Sequence, residues 1–432
     1  MIWDLANECR SRAEMEALQL ARLQETVARV YERVPFYRQA MDAKGIRPSD
    51  IRTLADVRLL PMTTKEDFRQ NYPYGLFAVP LREVVRLHAS SGTTGKPIVV
   101  GYTRRDLEIW TDLVARMVTL AGVTADDVVQ VVFGYGLFTG GFGLHYGLER
   151  VGATVVPASA GNSKRHIMLM RDFGTTVLVG TPSYVLHLAE VAEEEGVDPR
   201  ELPVRLGLFG GEASSREMLK EIERRWGMLA TDNYGLSEVM GPGVSGECEY
   251  QDGQHVAEDH FLVEILDPVT GEPCPPGVKG EVVITTLTKE ALPVLRYRTR
   301  DISCLNFEPC RCGRTTARLA KITGRTDDML IIRGVNVFPS QVESVLMEIE
   351  GVAPHYQLIV SRRNYLDELE IQVEVDPEFF SDRYRQLEEL EEKVAERLHT
   401  VLQLKARVRL VEPHSIPRSE GKARRVIDLR SK

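Results

Sequence analysis

The sequence lacks an excess of basic residues, a long apolar run and a dense set of cysteines. Its 54 Lys and Arg are outnumbered by 63 Asp and Glu, so the net charge of −9 offers no basic surface to nucleic acid. No apolar stretch approaches the roughly 20 residues of a membrane-spanning helix. Six cysteines in 432 residues are too few and too irregular for a disulfide framework. We therefore expect a cytoplasmic protein that binds neither nucleic acid nor membrane.

Two common nucleotide-binding spacings are also missing, although one stretch has the composition of a phosphate-binding loop. Residues 88–103 read HASSGTTGKPIVVGYT. Only two residues separate the glycines at 92 and 95, and a proline follows the lysine, so the Walker spacing is not met. Small residues, hydroxyls and one lysine still favour a polyanion, so we predict a phosphate cradle between two strands, with a polar hairpin turn as the alternative. Its predicted members are Ser90, Ser91, Gly92, Thr93, Thr94, Gly95 and Lys96.

Alternating short strands and helices indicate an α/β protein with more than one domain. The chain is too long for one ordinary domain, and between residues 128 and 226 β-branched runs alternate with helical stretches, which predicts a sheet covered by helices. Pro, Gly and short strands indicate a β-rich subdomain over about 241–326. The remaining residues, after about 326, suffice for a small α+β domain. We predict a large N-terminal domain, residues 1–326, and a small mobile C-terminal domain, residues 327–432.

Local patterns predict two helices in particular. Leu20, Leu23, Val27, Val30 and Val34 recur at helical spacing; the stripe favours core packing, and a homodimer seam is the alternative. A second helix is predicted to begin at Ser340, with a capping box closed by Glu343.

Three stretches further along carry groups suited to a nucleotide, although none is distinctive alone. Residues 233–238, NYGLSE, offer the ring of Tyr234 for a base and the Glu238 carboxylate for magnesium. Residues 296–301, RYRTRD, end in Asp301, and a lone aspartate can accept from both ribose hydroxyls. A Tyr-Gly turn and a surface ion-pair strand are the ordinary alternatives. Lys422 lies in a basic tail, which is usually a frayed end.

An aromatic, glycine-rich turn at residues 133–141, FGYGLFTGG, indicates a site for an apolar group. Thr139 occupies the third glycine position of G-x-G-x-x-G, so a dinucleotide-binding fold is disfavoured. We predict that Tyr135 and Phe138 line an aromatic slot, with Gly235 and Pro242 on its other wall. Aromatic core packing is the alternative.

The pair Cys310-Arg311-Cys312 is the remaining signal. Cys248 and His255, from the loop before residue 260, would complete a tetrahedral structural zinc site, with His260 as a competing ligand. Free cysteines are the alternative.

The ordered set of motifs resembles the phenylacetate–coenzyme A ligases, which are acyl-adenylate-forming, AMP-binding enzymes. The motifs, over residues 34–426, are VPFYR, HASSGTTGKP, GYGLFTGG, TPSY, YGLSEVMGPGV, EDHF, LTKEALPVLRYRTRD, GRTDDMLIIRGVNVFPSQVE and GKARRV. The resemblance implies two steps. A carboxylate attacks the α-phosphate of MgATP and releases pyrophosphate, and the acyl-adenylate then passes its acyl group to the thiol of coenzyme A.

The resemblance also implies a role for each matching position. Residues 90–96 would hold the β- and γ-phosphates, and Thr93 would also be catalytic. Lys422 would bridge carboxylate and α-phosphate, Glu238 would bind Mg²⁺, and Asp327 would be the hinge. The other cofactor-binding positions are Gly211, Glu212, Ala213, Asn233, Tyr234, Gly235, Ser237, Asp301 and Arg325, with Arg333 and Gly334 turned toward coenzyme A after a domain rotation.

The resemblance therefore implies an ATP-dependent ligase that joins an aryl acid, phenylacetate first, to coenzyme A, with AMP and pyrophosphate as products. Another aryl acid, such as a hydroxyphenylacetate, indoleacetate or benzoate, is the alternative within enzymes, as is acyl loading of a carrier protein. A non-catalytic adenylate-binding relative is the alternative outside enzymes. The presence of Lys422, Glu238 and Asp301 argues against that last reading.

Overall fold

The fold is built on a nine-stranded mixed sheet whose two faces are both covered by helices. The computed structural model describes residues 1–90, 97–333, 335–363, 366–377, 379, 384–419 and 421–430. Neighbouring residues of one strand enter different cores: Val177 and Val179 join one, and Leu178 joins the other. Strands buried on both faces are near-continuous apolar runs, which is why Val177–Gly180 is apolar throughout. The predicted sheet with helices on its faces is confirmed.

The helices and strands have the following bounds. The helices are α1 (Leu5–Glu8), α2 (Arg12–Arg33), α3 (Pro35–Ala43), α4 (Lys65–Gln70), α5 (Arg104–Ala121), α6 (Thr139–Val151), α7 (Ser163–Phe173), α8 (Pro182–Glu194), α9 (Arg216–Trp226), α10 (Pro339–Met347) and α11 (Tyr384–Leu402). The strands are β1 (Arg86–Ala89), β2 (Val99–Tyr102), β3 (Val128–Val131), β4 (Thr154–Val156), β5 (Val177–Gly180), β6 (Leu206–Phe209), β7 (Leu229–Leu236), β8 (Gly241–Glu247), β9 (Gln254–Val256), β10 (Phe261–Leu266), β11 (Gly280–Thr286), β12 (Tyr297–Ser303), β13 (Leu305–Asn306), β14 (Arg318–Leu319), β15 (Leu330–Ile332), β16 (Val335–Val337), β17 (Val352–Arg363), β18 (Leu366–Val375), β19 (Arg407–Val411) and β20 (Val426–Asp428).

The main sheet changes from parallel to antiparallel at β7. Its strand order is β13-β14-β9-β8-β7-β6-β5-β3-β4. Strands β4, β3, β5, β6 and β7 pair in parallel, whereas β7, β8, β9, β14 and β13 pair antiparallel. A separate antiparallel sheet, β10-β11-β12, supplies the predicted β-rich part. Among the described helices, none has the length and apolar character needed to cross a lipid bilayer.

The last hundred residues form a small α+β unit with its own core, as predicted. Its sheet has the order β19-β18-β17-β20, and the apolar faces of α10 and α11 pack on it. Strand β20 was not predicted, and it pairs in parallel with β17. It brings the chain back to the sheet four residues after Lys422, so that lysine does not lie in a frayed tail. The predicted boundary between residues 326 and 327 stays a prediction.

Helix α2 supports the core reading of its apolar stripe. Leu23, Val27, Val30 and Val34 are fully buried in the main core, and Leu20 packs against it. The stripe is therefore covered by the chain itself and is not left free for a homodimer seam.

The predicted cap of the helix at residue 340 is wrong. Helix α10 begins at Pro339, and the backbone N–H of Phe338 donates to the Gln341 side chain at 3.1 Å. The Glu343 carboxylate instead accepts from the backbone N–H of Ser215, at 2.6 Å, and from the Tyr356 hydroxyl, at 3.1 Å. A partner outside the helix displaced the local cap, and it ties α10 to the start of α9.

Candidate active site

The carboxyl ends of three parallel strands form a cleft that faces the C-terminal domain. Thr181 follows β5, Gly211 follows β6, and Tyr234 lies near the end of β7. Ligands of open α/β sheets commonly bind at this end of the strands. Residues 421–423 of the C-terminal domain contact the same cleft.

The segment that carries Lys422 is held through its main chain on both sides of the lysine. The carbonyl oxygen of Gly421 accepts from the Thr181 hydroxyl at 3.1 Å and from the Ser183 hydroxyl at 3.3 Å. The backbone N–H of Ala423 donates to Glu212 Oε2 at 2.9 Å. Lys422 is therefore placed by the cleft, although its own side chain stays accessible to solvent.

Glu212 joins the two domains with one carboxylate. Its Oε1 accepts from the backbone N–H of Ser183 at 2.7 Å, while its Oε2 accepts from Ala423. Loss of hydration raises the pKa of Glu212, and these hydrogen bonds oppose the rise. The resemblance gave Gly211, Glu212 and Ala213 as cofactor-binding positions. The structure adds that Glu212 contacts the Lys422 segment, while Gly211, which has a φ of 81°, and Ala213 are exposed beside it.

The surroundings of Lys422 lower the pKa of its ammonium group. The largest cause is the crowding of the ammonium group by surrounding atoms, which removes part of its hydration although the residue as a whole keeps contact with solvent. The carboxylates of Glu212 and Glu238 raise the pKa, and the guanidinium of Arg325 lowers it. The structure thus brings Lys422 close to three other positions that the sequence analysis had assigned to the site, which are Glu212, Glu238 and Arg325.

Tyr234, Asp301 and Arg325 form one buried polar group. The Tyr234 hydroxyl donates to Asp301 Oδ2 at 2.5 Å, and Arg325 Nη1 lies 3.3 Å from Asp301 Oδ1. Burial raises the pKa of Asp301, and the charge of Arg325 opposes it. The predicted partners of base and ribose are therefore adjacent. Asn233 lies beside them on β7, and its amide donates to the carbonyl oxygen of Phe209 at 2.6 Å.

Asp327, the predicted hinge, binds the same arginine. Arg325 Nε and Nη2 donate to its two carboxylate oxygens at 2.9 and 3.0 Å. Burial would raise the pKa of Asp327, but these bonds and the charge of Arg325 hold it below its usual range. Arg325 therefore links Asp301 with Asp327 across the predicted boundary.

Glu238 is a buried carboxylate without a basic partner. Its side chain is only 4% exposed, and among the described residues no Lys, Arg or His forms an ion pair with it. Burial, and then the charge of Glu238, raise the pKa of the neighbouring Tyr297. The Tyr297 hydroxyl is buried and interacts with the Glu238 carboxylate. A buried carboxylate that no basic side chain of the described residues pairs with fits a hydrated cation.

The two flanks of the predicted phosphate cradle are paired strands. Strands β1 and β2 are antiparallel, and the N–H of Ser90 donates to the carbonyl oxygen of Ile98 at 3.0 Å. The predicted loop between strands is thus confirmed at its ends. The predicted residues Ser91, Gly92, Thr93, Thr94, Gly95, Lys96 and Gly334 lie outside the described residues. Arg333 is exposed, and its Nε donates to the carbonyl oxygen of Asp367 at 2.8 Å.

Of the two aromatic residues predicted to line the acyl slot, one packs against its neighbours and the other is exposed. Tyr135 packs edge-on against Phe142 with ring centres 5.3 Å apart, and burial raises its pKa to about 12. Phe138 is 46% exposed at the start of α6, so it is not core. Gly235 lies so close to β8 that an added Cβ would stand 2.0 Å from the Gly241 carbonyl oxygen. The slot therefore has a rigid backbone wall, and Ser237 meets the hydroxyl of Thr139 at 3.0 Å on that side.

Sequence reasoning missed a buried aromatic group behind Pro242. The Trp110 indole donates to the Pro242 carbonyl oxygen at 2.9 Å and stacks on Tyr102, with ring centres 4.9 Å apart. Lys289 Nζ lies 3.6 Å from the centre of the Tyr102 ring, and burial lowers its pKa to about 8. A lysine within the apolar stretch LTKEALPVL was the available signal. Thr181 and Ser183 were also missed, although they flank a proline directly after an apolar strand.

The four predicted zinc ligands come together away from this cleft. One potential ligand atom from each of Cys248, His255, Cys310 and Cys312 lies within 4.8 Å of the others. The competing ligand, His260, is engaged elsewhere, since its Nδ1 lies 2.7 Å from the Thr288 hydroxyl and its Nε2 lies 3.1 Å from Asp259.

Comparison with known proteins gives the chain a family. Residues 26–288 match the model of the AMP-binding enzyme family, and residues 334–430 match that of the AMP-binding enzyme C-terminal domain. The chain is 49% identical to the phenylacetate–coenzyme A ligase of Thermus thermophilus, and the match covers all of both chains. The chain belongs to the phenylacetate–coenzyme A ligase family. With the family comes the reaction class, which is that of an AMP-forming acid–thiol ligase.

Two solved structures of one related enzyme identify the domain arrangement. The chain is 31% identical to 2-hydroxyisobutyryl-CoA ligase in the postadenylation state with 2-HIB-AMP; the match covers 100% of this chain and 93% of that one, with a TM-score of 0.95. Against the same ligase with 2-HIB-AMP and CoA in the thioesterification state, at 32% identity and 99% and 92% coverage, the TM-score is 0.73. Here the two domains of this family member are arranged as in the postadenylation structure.

Proposed function

We propose that the enzyme activates phenylacetate with MgATP and transfers the phenylacetyl group to coenzyme A. The observation that carries the proposal is the delivery of Lys422, gripped on both sides by Thr181, Ser183 and Glu212, into a cleft that already contains Asp301 and Glu238. Near-identical length and 49% identity to a phenylacetate–coenzyme A ligase support this acid as the substrate. ATP and coenzyme A favour the cytoplasm as its compartment.

In the first step, a carboxylate oxygen of the acid attacks the α-phosphorus, the bond to the β-phosphate breaks, and pyrophosphate leaves. Lys422 serves as a cation between the two negatively charged reactants, and residues 90–96 hold the departing phosphates. Positioning and charge neutralisation are enough for this chemistry, so no protein nucleophile is required. Asp301 and Arg325 orient the ribose, with the Tyr234 ring at the base.

Glu238 is the residue that would hold the magnesium ion. The carboxylate is buried and no basic side chain of the described residues forms an ion pair with it, which supports this role. When bound, Mg²⁺ supplies charge neutralisation at the phosphates.

In the second step, the thiol of coenzyme A attacks the acyl carbon, and AMP leaves. The Lys422 segment fills the cleft in the postadenylation arrangement, so it has to withdraw before the thiol can enter. We propose that the chain turns at Asp327, whose bonds to Arg325 are then exchanged, and that Arg333 and Gly334 come to face the site.

The experiment is an ATP- and coenzyme A-dependent assay of AMP and thioester formation with a panel of acids. Phenylacetate should give the highest kcat/KM, above hydroxyphenylacetate, indoleacetate and benzoate, because Tyr135 and a rigid glycine wall suit a flat ring on a short arm. A higher kcat/KM for another member of the panel would replace phenylacetate with that acid. Failure to release AMP with every acid would overturn the ligase itself.

A further inference from the structure

We infer that Cys248, His255, Cys310 and Cys312 hold a structural zinc ion at the antiparallel edge of the main sheet. The four residues come from three separate parts of the chain. Cys248 directly follows β8, His255 lies on β9, and the two other cysteines lie in the turn after β13. Three thiols and one imidazole form one of the usual ligand sets of structural zinc. The site is separate from the ligase reaction and does not depend on it.

The distances within the cluster match a tetrahedron around zinc. With Zn–S bonds of about 2.3 Å, two sulfurs of a regular tetrahedron stand about 3.8 Å apart. Cys248 Sγ and Cys310 Sγ are 3.8 Å apart. One sulfur and one nitrogen, with a Zn–N bond of about 2.0 Å, should stand about 3.5 Å apart. Cys312 Sγ and His255 Nε2 are 3.4 Å apart. Both edges have the length that a shared central ion would set.

The imidazole is oriented as a zinc ligand requires. His255 Nδ1 lies 3.0 Å from the Thr316 hydroxyl, so an Nδ1–H donated there leaves the Nε2 lone pair directed at the sulfurs. An outer partner that fixes the ring and its tautomer is typical of metal-bound histidines. Thr316 belongs to the same turn as the two cysteines, so that turn supplies two ligands and the orientation of a third.

A disulfide and a catalytic metal both fit less well. A disulfide needs sulfurs about 2.05 Å apart, well below the 3.8 Å between Cys248 and Cys310. Four protein ligands leave no open position for a substrate, and Cys248, His255 and Cys310 are each less than 9% exposed. A buried, closed site is structural.

The turn after the cluster also holds the N-terminal segment, residues 1–10. Arg314 donates to the Glu8 carboxylate and, at 2.6 Å, to the carbonyl oxygen of Met1. Thr315 donates from its backbone N–H to the Glu8 carbonyl oxygen at 3.1 Å. Cys9 is not a ligand, because its Sγ contacts the carbonyl oxygen of Gly313 at 3.4 Å. Zinc would therefore fix the turn, and the turn would hold the N-terminal segment on the sheet.

The test is metal analysis of the full-length protein, produced with zinc and desalted. We expect one zinc per chain. Replacement by Co²⁺ should give the strong visible absorption of a tetrahedral thiolate site. Of the six thiols in the chain, three should resist a thiol reagent until a strong chelator is added. Absence of zinc from this protein would overturn the site, and the measurement requires no variant.

Matched variants identify the ligands. Cys312→Ser should lose the metal, whereas Cys312→His, which keeps a ligand, should retain it. Cys304→Ser is the control, since Cys304 lies before β13 and outside the cluster. Chelation should also speed hydrogen exchange in residues 1–10 with little effect on residues 339–347. Equal zinc content in Cys312→Ser and Cys304→Ser would reject the assigned ligands.

Discussion

At the scale of single residues, the site depends on a lysine whose position is set by other groups. Gly421 and Ala423 are fastened to the cleft, and Lys422 lies between them with a lowered pKa. Under the proposed mechanism, this arrangement serves adenylation. Because the proposed second step requires withdrawal of Lys422, its loss should affect the two half-reactions unequally.

Lys422→Ala should slow adenylation by about 100-fold or more, the usual cost of one preorganised charge-stabilising group. Pyrophosphate exchange measures this step. Conversion of supplied phenylacetyl-adenylate to thioester should be nearly unchanged. Arg424→Ala is the control, since Arg424 is exposed two residues away. Equal loss of both half-reactions in Lys422→Ala would remove the proposed role.

The pH dependence of adenylation should follow the ammonium of Lys422. Its pKa is lowered, so the rate should fall at a lower pH than an ordinary lysine would give. Glu212 raises the pKa of Lys422, so Glu212→Gln should move this alkaline limb to still lower pH. Lys422→Arg should abolish the limb, because a guanidinium does not titrate in this range. The measurement is the pH profile of pyrophosphate exchange. If Glu212→Gln leaves the alkaline limb at the same pH, the limb does not report the titration of Lys422.

At the scale of elements, α6 packs unusually close to α5 through glycines one turn apart. A Cβ on Gly143 would stand 2.4 Å from the Trp110 ring and 2.7 Å from Pro242, and one on Gly147 would stand 2.3 Å from Val114. Pro242 was predicted to wall the acyl slot, and the Trp110 indole is hydrogen-bonded to it. We therefore expect the close packing of the two helices to affect that predicted slot.

Gly143→Ala should lower the free energy of unfolding by about 1–3 kcal/mol, the usual cost of overpacking. It should also raise the KM for phenylacetate more than the KM for ATP, because Pro242 would be displaced. Gly140→Ala is the matched control on the same helix, since a Cβ there has no neighbour within 4 Å. It should leave stability unchanged or raise it by up to about 1 kcal/mol, from helix propensity. Urea unfolding and steady-state kinetics measure both, and similar behaviour of the two variants would contradict this packing.

Elements with strong local patterns could be predicted from the sequence, and those set by distant partners could not. The predicted alternation over residues 128–226 is present as strands β3 to β7 with helices α6 to α9 between them, and the apolar stripe of α2 is buried, as its spacing indicated. The cap of α10 was misplaced because Glu343 binds Ser215 in the other domain. Strand β20 was missed because three residues carry little periodicity and its partner β17 lies far away in sequence.

In the candidate site, too, local patterns could be predicted and contacts between distant residues could not. Motif positions such as Asp301, Glu238 and Lys422 could be selected from residue type and order. The second contact of Glu212, with Ala423, could not, because it depends on how the domains meet.

At the scale of the whole molecule, a buried ionic cluster joins the domains beside the cleft. Glu190 of α8 accepts from His355 Nε2 at 2.5 Å and from Arg418 Nε at 3.0 Å. Arg418 also binds Glu374 at 2.7 Å. Burial would raise the pKa of Glu190, but bonds from His187 and His355 and the charge of Arg418 hold it well below its usual range. These contacts hold the C-terminal domain in the arrangement of the structure, and the proposed rotation of that domain would break them.

Glu190→Gln should therefore weaken the adenylation arrangement. Loss of a charged hydrogen-bond partner costs about 1.5–3 kcal/mol, so pyrophosphate exchange should fall by roughly tenfold or more. Thioester formation from supplied adenylate should be unchanged or faster. Glu194→Gln is the control, on the same helix and exposed to solvent. A uniform slowing of both half-reactions would show that the cluster supports folding and does not select an arrangement.

The grip on the Lys422 segment has an evolutionary consequence. The cleft contacts a carbonyl oxygen and an N–H that every residue type except proline provides, and open space surrounds the position where a Cβ would stand on Gly421. We therefore expect substitution at residues 421 and 423 to leave the grip intact, with proline at 423 excluded because it lacks the N–H. Under the proposed role of Lys422, a library randomised at residues 421–423 should return active clones of many sequences in which only the lysine is invariant.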